Sequence, residues 1–380
     1  MRVAFVSNVV YPFVTGGAEK RIHEIGTRLT NKGHDVTIYG RQFWDGPEET
    51  THEGMTLRAV APGTELYTGD DGRRSITEAL DFAARTVYPL NKYLRQNDHD
   101  VVVASVFPHF PVLAAKLATV GTDTPLVTTW HEVWGDYWND YLGHLAPFGK
   151  LTEQITARIP QHPIAVSGIT ADRLARIGQD RTRIRTIPNG IDFDQIRAIE
   201  PAADGFDVLF AGRLIEDKRV DVLLRAFDRV APADTTLGIV GDGPEREALE
   251  QLTTTLNSAD QITFLGFLDD YADVLAHMRA ADVFASPSTR EGFGITYAEA
   301  MAAGCTVIGA DHPDSAADEV IGDAGFLVEP TVDALTKTLE AALCGDRPSS
   351  DPVERAQRYD WDAVADQAET AYQNAIDGSW

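Results

Sequence analysis

Short apolar, β-branched runs alternate with longer segments of helical apolar spacing along nearly the whole 380-residue chain. Arg2–Ser7, Asp35–Gly40, Val101–Ser105, Pro125–Trp130 and Pro163–Ser167 read as strands of a first half. Phe206–Gly212, Thr236–Gly241, Ile262–Gly266, Asp282–Ser286 and Cys305–Ala310 repeat the pattern in a second. Most are bare apolar runs rather than alternating ones, as expected of parallel strands covered on both faces. Between them lie amphipathic stretches such as Lys218–Val230, with Val220, Leu223, Leu224 and Phe227 on one stripe. The pattern predicts an α/β protein of two doubly wound domains, 1–191 and 205–357, whose carboxyl edges face each other across a cleft. Asp192–Gly205, with Pro201, Ala202, Ala203 and Asp204, reads as the linker. Residues 43–75 are less regular and read as excursions around a strand near Thr56–Val60.

Composition narrows the class. With 43% hydrophobic and 24% charged residues the chain is neither disordered nor fibrous. No apolar run approaches the ~18 residues that cross a bilayer, and Val3–Val10 is too short for a signal peptide. Two cysteines, Cys305 and Cys344, make no disulfide framework, so a cytoplasmic location is expected. Charge changes the picture more. The net charge is −25, and only 7 of the 33 bases are lysines, a balance that suits a halophilic, high-salt cytoplasm in which self-repulsion is screened. It argues against nucleic acid as a partner, whose binding rests on basic surface. The excess is lopsided: residues 1–190 carry a net −1 and residues 191–380 a net −24. Different partners are expected for the two halves.

Candidate chemistry sits at strand ends. In the first βα turn, Gly16-Gly17 enters a helix, where backbone N–H groups can meet an anion; a plain tight turn explains it equally well. A G-x-G-x-x-G fingerprint is missing there and at Gly241-Asp242-Gly243, which disfavours a nicotinamide cofactor. Arg213 ends a strand and Lys218 follows five residues later, opening a helix. In so acidic a half they are either partners for local acids or an anion site. Glu291-Gly-Phe293-Gly294-Ile295 then leads into a helix carrying Glu299, read as about two turns in on a similar face. Such a turn exposes donors to phosphate, and two carboxylates beside it suit a polyol. The bland alternatives make Glu291 a helix-dipole partner and Glu299 a solvated residue. Asp192-Phe-Asp194 has the form of a metal-binding pair but lacks a further carboxylate at ligand spacing, so no metal is expected. Trp130, Trp134, Tyr137 and Trp138 fit a core or a cleft wall equally.

The string from Glu291 to Glu299 resembles the E-x7-E signature of retaining glycosyltransferases of the GT-B fold, closest to glycosyltransferase family four. The likeness extends to Arg213 and Lys218, Gly16-Gly17, Trp130-His131-Glu132, Ile187-Pro-Asn-Gly-Ile-Asp192, Val240–Glu245 and Phe264–Phe267. Tyr359-Asp-Trp361-Asp-Ala-Val364 resembles the start of the family's terminal helix, so 358–380 is expected to pack back toward the N-terminal domain. Cys305-Thr306 departs from the family, which commonly has a proline there. The resemblance implies two Rossmann-like domains and metal-independent, cofactor-free transfer of a sugar, a hexose, from a nucleoside-diphosphate donor to an acceptor hydroxyl. It implies that Arg213, Lys218, the N–H groups around Phe293, Gly294 and Ile295, and the Gly16-Gly17 loop hold the diphosphate. Glu291 would hold donor-sugar hydroxyls, Glu299 the ribose, and His131 the sugar.

The acceptor side is less defined. A glycan or lipid-linked acceptor is expected on the N-terminal domain, where Arg173, Arg176, Arg181, Arg183 and Arg185 crowd together. They read either as a solvated helix end or as a patch for peripheral contact with an anionic membrane at its inner face. A sugar-nucleotide epimerase and a non-catalytic nucleotide-sugar-binding protein remain the alternative functions for this architecture.

Overall fold

The computed structural model describes residues 1–14, 16–64, 76–96, 98–106, 109–230 and 234–380. Thr15 of the glycine turn and 65–75 of the irregular excursion therefore lie outside the described residues. The chain forms two compact units, Met1–Pro188 with Asp362–Trp380, and Asn189–Trp361.

The first unit is built on eight strands: β1 (Arg2–Val6), β2 (Asp35–Gln42), β3 (Glu49–His52), β4 (Met55–Pro62), β5 (Val101–Val106), β6 (Leu126–Trp130), β7 (His162–Ala165) and β8 (Arg185–Thr186). Their order is β3-β4-β2-β1-β5-β6-β7-β8, parallel throughout except for the β3–β4 hairpin at one edge. The central strands are buried on both faces because helices cover both, which is why they read as unbroken apolar runs. The order reverses between β1 and β5, opening the crevice at their carboxyl ends where this architecture takes ligands. Asn8, just past β1, is fixed there: its Nδ2 donates to Glu78 (2.8 Å), and Glu78 in turn pairs with the fully buried Arg41.

The second unit holds β9 (Val208–Ala211), β10 (Leu237–Val240), β11 (Ile262–Gly266), β12 (Val283–Ser286), β13 (Thr306–Ala310) and β14 (Phe326–Val328), all parallel in the order β11-β10-β9-β12-β13-β14. Its crevice lies between β9 and β12. Helix Val220–Val230 buries Val220, Leu223, Leu224 and Phe227 against this sheet. Gly241 is required by position. Its φ of 127° is left-handed, and a Cβ there would stand 1.9 Å from the carbonyl oxygen of Gly212.

Segment 192–205 is not an open linker. It contains helix Phe193–Ala198 with Ile196 buried, Ala202 N–H donates to Ala276 O (3.0 Å), and Arg197 donates to Ala302 O (3.3 Å). Its Pro- and Ala-rich composition marks chain packed flat on helices rather than free chain. Residues 189–191 also belong with the second unit, because Ile191 N–H donates to Tyr359 O (2.7 Å) and Trp361 N–H to Ile191 O (3.2 Å). Helix Trp361–Ile376 therefore begins in the second unit and from Asp362 onward belongs to the first. There Tyr372 packs edge-on against Phe5, Asp362 pairs with Arg28 (2.5 Å) and Glu369 with Lys32 (2.6 Å). Among the described residues no helix is long and apolar enough to cross a membrane.

Two buried histidines make the first unit acid-sensitive. His99, hydrogen-bonded to the Tyr39 hydroxyl (2.7 Å), and His109, packed beside Trp130 and Trp138, are each pushed down by burial to about 4. A depressed histidine pKa contributes stability above the unfolded value, lost as pH falls toward the folded one. Each should forfeit roughly 2 kcal/mol between pH 7 and pH 5. Urea unfolding followed on the first unit's tryptophans should show that loss, and a His99→Gln/His109→Gln variant should flatten the pH dependence.

Candidate active site

The second unit gathers its candidate groups on both sides of the β9/β12 crevice. From β9 the chain runs through Gly212 to Arg213, which is exposed and makes no ion pair among the described residues. Leu214 N–H donates to Asp242 O (2.9 Å) and Gly241 N–H to Gly266 O (2.8 Å), so the carboxyl ends of β9, β10 and β11 are laced together. A Cβ at Gly243 would meet Leu214 O at 2.3 Å, so the second glycine of Gly241-Asp242-Gly243 permits this lacing rather than phosphate binding. Lys218 does not open a helix. It closes the 3-10 turn Glu216–Lys218, and Arg219, left-handed at φ 50°, separates that turn from helix Val220–Val230.

That turn is aimed by the opposite side of the crevice. Asp217 O accepts from Thr289 N–H (2.8 Å) and from the Thr289 hydroxyl (3.2 Å), which draws Lys218 toward the segment after β12. Lys218 Nζ meets Glu291 Oε1 at 2.5 Å, with both side chains largely shielded from solvent. Glu291 is held by its own backbone: its N–H donates to Asp314 O (3.2 Å), and its carbonyl accepts from Ala316 N–H (3.1 Å). It is thus a fixed carboxylate facing a fixed ammonium.

Behind the pair the chain turns sharply into helix Ile295–Ala303. Gly294 caps it in the left-handed region (φ 80°, ψ 59°), and a Cβ there would strike the Tyr297 ring at 2.6 Å. Phe293 is buried edge-on against Tyr359. The Tyr297 hydroxyl donates to Ser286 O (2.8 Å) and pins the helix to the end of β12; burial, then Glu291, raises its pKa well above 10. The first N–H groups of the helix carry its positive dipole end beside Lys218, so the crevice concentrates anion-binding capacity in a unit of high negative charge.

Glu299 lies one turn into that helix rather than two, because the helix starts only at Ile295. It is buried, not solvated, and its Oε2 accepts from the Tyr271 hydroxyl (2.6 Å). Burial of that hydroxyl, then the charges of Glu299 and Asp192, raise the tyrosine well above its ordinary value. Tyr271 was not legible as a site residue; its only signal is an aromatic just past the Phe264–Phe267 motif. Phe267 itself follows β11 with 74% of its surface exposed, an unusual position for a large apolar ring.

In the first unit His131 follows β6, and its Nε2 lies 3.1 Å from the hydroxyl of Ser105 on β5. Burial, with Arg21 adding to it, pushes this imidazole down to about 3, so it is neutral near pH 7. Arg21 sits one turn into helix Gly17–Asn31 and donates to Ile187 O (3.2 Å) and Pro188 O. Gly17 has open space around it, whereas Gly16 packs on the Glu19 carboxylate: a Cβ at Gly16 would be 2.3 Å from Oε2. The aromatic run divides. Trp130 and Trp138 are core, while Trp134 is half-buried and stacks with Tyr137 and Tyr141 at 5.2 and 4.7 Å. Glu153 holds this cluster by accepting from the N–H groups of Trp134 (2.8 Å) and Gly135 (2.9 Å).

Known proteins carry the same pattern. Residues 192–359 match the profile of the glycosyl transferases group 1, and residues 15–195 that of Glycosyltransferase Family 4. The phosphatidyl-myo-inositol mannosyltransferase of Mycolicibacterium smegmatis is 29% identical, covering 98% of this chain and 94% of that protein. The GDP-mannose-dependent alpha-(1-6)-phosphatidylinositol monomannoside mannosyltransferase of Mycobacterium tuberculosis is 27% identical, covering 81% and 80%. Sucrose-phosphate synthase from Thermosynechococcus elongatus superposes with a TM-score of 0.77 at 20% identity over the full length of both chains, which speaks to fold alone. With two parallel sheets, an E-x7-E string closing the crevice of the second, and profiles that together span residues 15–359, the chain belongs to glycosyltransferase family four and has the GT-B fold.

Proposed function

We propose that the chain transfers a hexose, with retention of anomeric configuration and without a metal, from a nucleoside-diphosphate sugar to a lipid-linked hydroxyl. The observation that carries this reading is the Lys218–Glu291 pair beside Arg213 and the amino end of helix Ile295–Ala303. As the bond from C1 to the diphosphate breaks, negative charge grows on the leaving oxygen, and groups already oriented toward it lower the barrier without reorganising. Arg213, Lys218 and the N–H groups at Gly294 and Ile295 are the groups for that task. The acceptor oxygen forms its bond to C1 on the face the diphosphate leaves, and its proton passes to the departing phosphate oxygen.

Without donor, Lys218 is satisfied by Glu291. With donor, the ammonium turns to the diphosphate and the carboxylate is released to accept from sugar hydroxyls, so one pair serves both ends of the ligand. Glu299, held by the Tyr271 hydroxyl, is the carboxylate this reading assigns to the ribose. From the first unit the reading takes His131 as a neutral contact to the sugar and Gly17 as the open point of its turn. The names of the two mannosyltransferase relatives support GDP-mannose as the donor and a phosphatidylinositol-type lipid as the acceptor.

In the arginine cluster Arg181 pairs with Asp172 (2.6 Å) and Arg185 lies over the Trp380 ring (4.5 Å). We take a different face as the membrane contact. Leu145, Phe148, Leu151 and Ile155, along helix Ala146–Arg158, are 47 to 61% exposed on one side, and Phe148 adjoins Phe110 on helix His109–Ala118, whose Leu117 is exposed too. An unburied apolar row of this spacing is what an interfacial helix presents to acyl chains, and hydrophobic contact survives the high salt that screens arginines.

Two outcomes are expected. Radiolabelled GDP-mannose should label a lipid acceptor with retained configuration, in EDTA, and Lys218→Gln should lower turnover at least about thirtyfold, or ~2 kcal/mol, in protein that circular dichroism shows to be folded at the assay temperature. An isomerised donor, or wild-type turnover in the variant, would sink the reading. In co-sedimentation with anionic vesicles at high salt, wild type should pellet and Phe148→Ser/Leu151→Ser should stay in the supernatant. If both behave alike, that face is not the membrane contact.

A further inference from the structure

A second cluster, in the first unit and outside the chemistry above, is formed by His23, His52 and Glu53. His23 lies in the middle of helix Gly17–Asn31; His52 ends β3, and Glu53 begins the turn to β4. Each offers one ligand atom, and the three atoms lie within 4.8 Å of one another. His23 is buried, with its Nε2 3.2 Å from Glu53 Oε2 and its Nδ1 shielded and without a hydrogen-bond partner. The Nε2 of His52 is likewise shielded and without a partner. Shielded polar nitrogens left unpaired cost free energy that neighbouring hydrogen bonds normally offset. The His23 Nε2 that faces the Glu53 carboxylate, with the His52 imidazole beside it, forms a set that one ion can bind.

The hairpin adds an independent sign. Glu53 and Gly54 form a two-residue turn with φ of 47° and 80°. Both positions are left-handed, the geometry that favours Asn-Gly, and a glutamate there is strained by roughly 1 kcal/mol. The strained residue is the one that carries the carboxylate to His23. Thr27, one turn further along the helix, donates to the same carboxylate (3.3 Å).

We propose that His23, His52 and Glu53 bind one transition-metal dication of the zinc class, fastening the β3–β4 hairpin to helix Gly17–Asn31. Two imidazoles and one carboxylate make three of the four ligands of a tetrahedral site, and water completes it. With a single carboxylate the set is too poor in oxygen for calcium or magnesium, while imidazole suits zinc, copper and nickel. Metal–ligand bonds near 2 Å require ligand atoms about 3.3 Å apart. Small rotations of the exposed Glu53 and the half-buried His52 supply the contraction. Burial, the first cause, and the cations Lys20 and Arg28 keep the His23 imidazole below its ordinary pKa and therefore neutral at pH 7, as a ligand must be; Glu53 opposes this and balances the metal's charge. Tyr11 packs on His23 (4.6 Å) and Phe13 on His52 (5.8 Å), so these two rings cover the site. The role is structural, so its loss is read in stability and not in sugar transfer.

The test uses the full chain, stripped with EDTA, returned to chelator-free buffer at pH 7.5 and dialysed against Zn(II). Wild type should hold one zinc per chain by elemental analysis, and Co(II) should give the visible bands of a four-coordinate site. Saturating zinc should raise the unfolding temperature by about 5 °C. His52→Gln and Glu53→Gln, both on the hairpin and spared the folding risk of changing buried His23, should each weaken zinc binding at least about tenfold. His144→Ala, at an exposed histidine elsewhere, should bind as wild type does. Wild type holding no more zinc than His52→Gln, or a zinc response unchanged in both hairpin variants, would overturn the proposal.

Discussion

Two opposite charges, Lys218 and Glu291, sit shielded at the carboxyl edge of the second sheet, and neither is tolerable there alone. Removing one member of such a pair strands the other at a cost of about 3 kcal/mol. Much of the surrounding backbone exists to keep them together. The carbonyl of Asp217 ties the lysine's turn to Thr289, the 314–316 segment clamps the glutamate's backbone, and the left-handed Gly294 swings the chain away so that the helix beyond starts beside the pair. On the proposed function, a site that receives a dianionic diphosphate inside a half carrying −24 needs its cations oriented before the ligand arrives. The resting ion pair does this, since it stores the lysine in place at no cost in unpaired charge.

The glycines around the site follow from the same demand for close approach. Gly241 and Gly243 let the ends of β9 and β10 touch through backbone alone, which brings Arg213 to the rim while its neighbours stay packed. In the first unit the arrangement is different in kind. His131 is kept neutral by burial, Glu153 fixes the aromatic loop, and Arg21 caps the carbonyls of Ile187 and Pro188. There Glu153 and Arg21 are spent on holding backbone.

Much of this was readable from residues. All ten strands expected from apolar runs are present within a residue or two, because a strand covered on both faces leaves an unmistakable run. The strands that escaped notice lacked that mark. β8 is two residues long, β14 is only half-buried, and β3 is an edge strand of Glu, Thr and His. Arg213, Lys218, Glu291, Gly294 and Glu299 were singled out by spacing and family likeness, and the fold sets Lys218 against Glu291 with Gly294 capping the helix behind them. What spacing could not convey is pairing. Nothing in the sequence says that Lys218 reaches across to Glu291, that Tyr271 serves Glu299, or that His23 meets a hairpin thirty residues away. The segment at 192–205 misled for a related reason, since composition reports exposure on average and not the particular partner, such as Ala276, that each group finds.

If the Lys218–Glu291 pair is the resting form of a diphosphate site, the glutamate competes with bare nucleoside diphosphate for the lysine. Calorimetric titration of GDP into wild type and Glu291→Gln isolates that competition, because no sugar is present to need the carboxylate. The variant should bind GDP at least as tightly as wild type. A loss of GDP affinity of about tenfold or more in the variant would mean that Glu291 supports the nucleotide directly, and the exchange of partners at Lys218 would have to be abandoned.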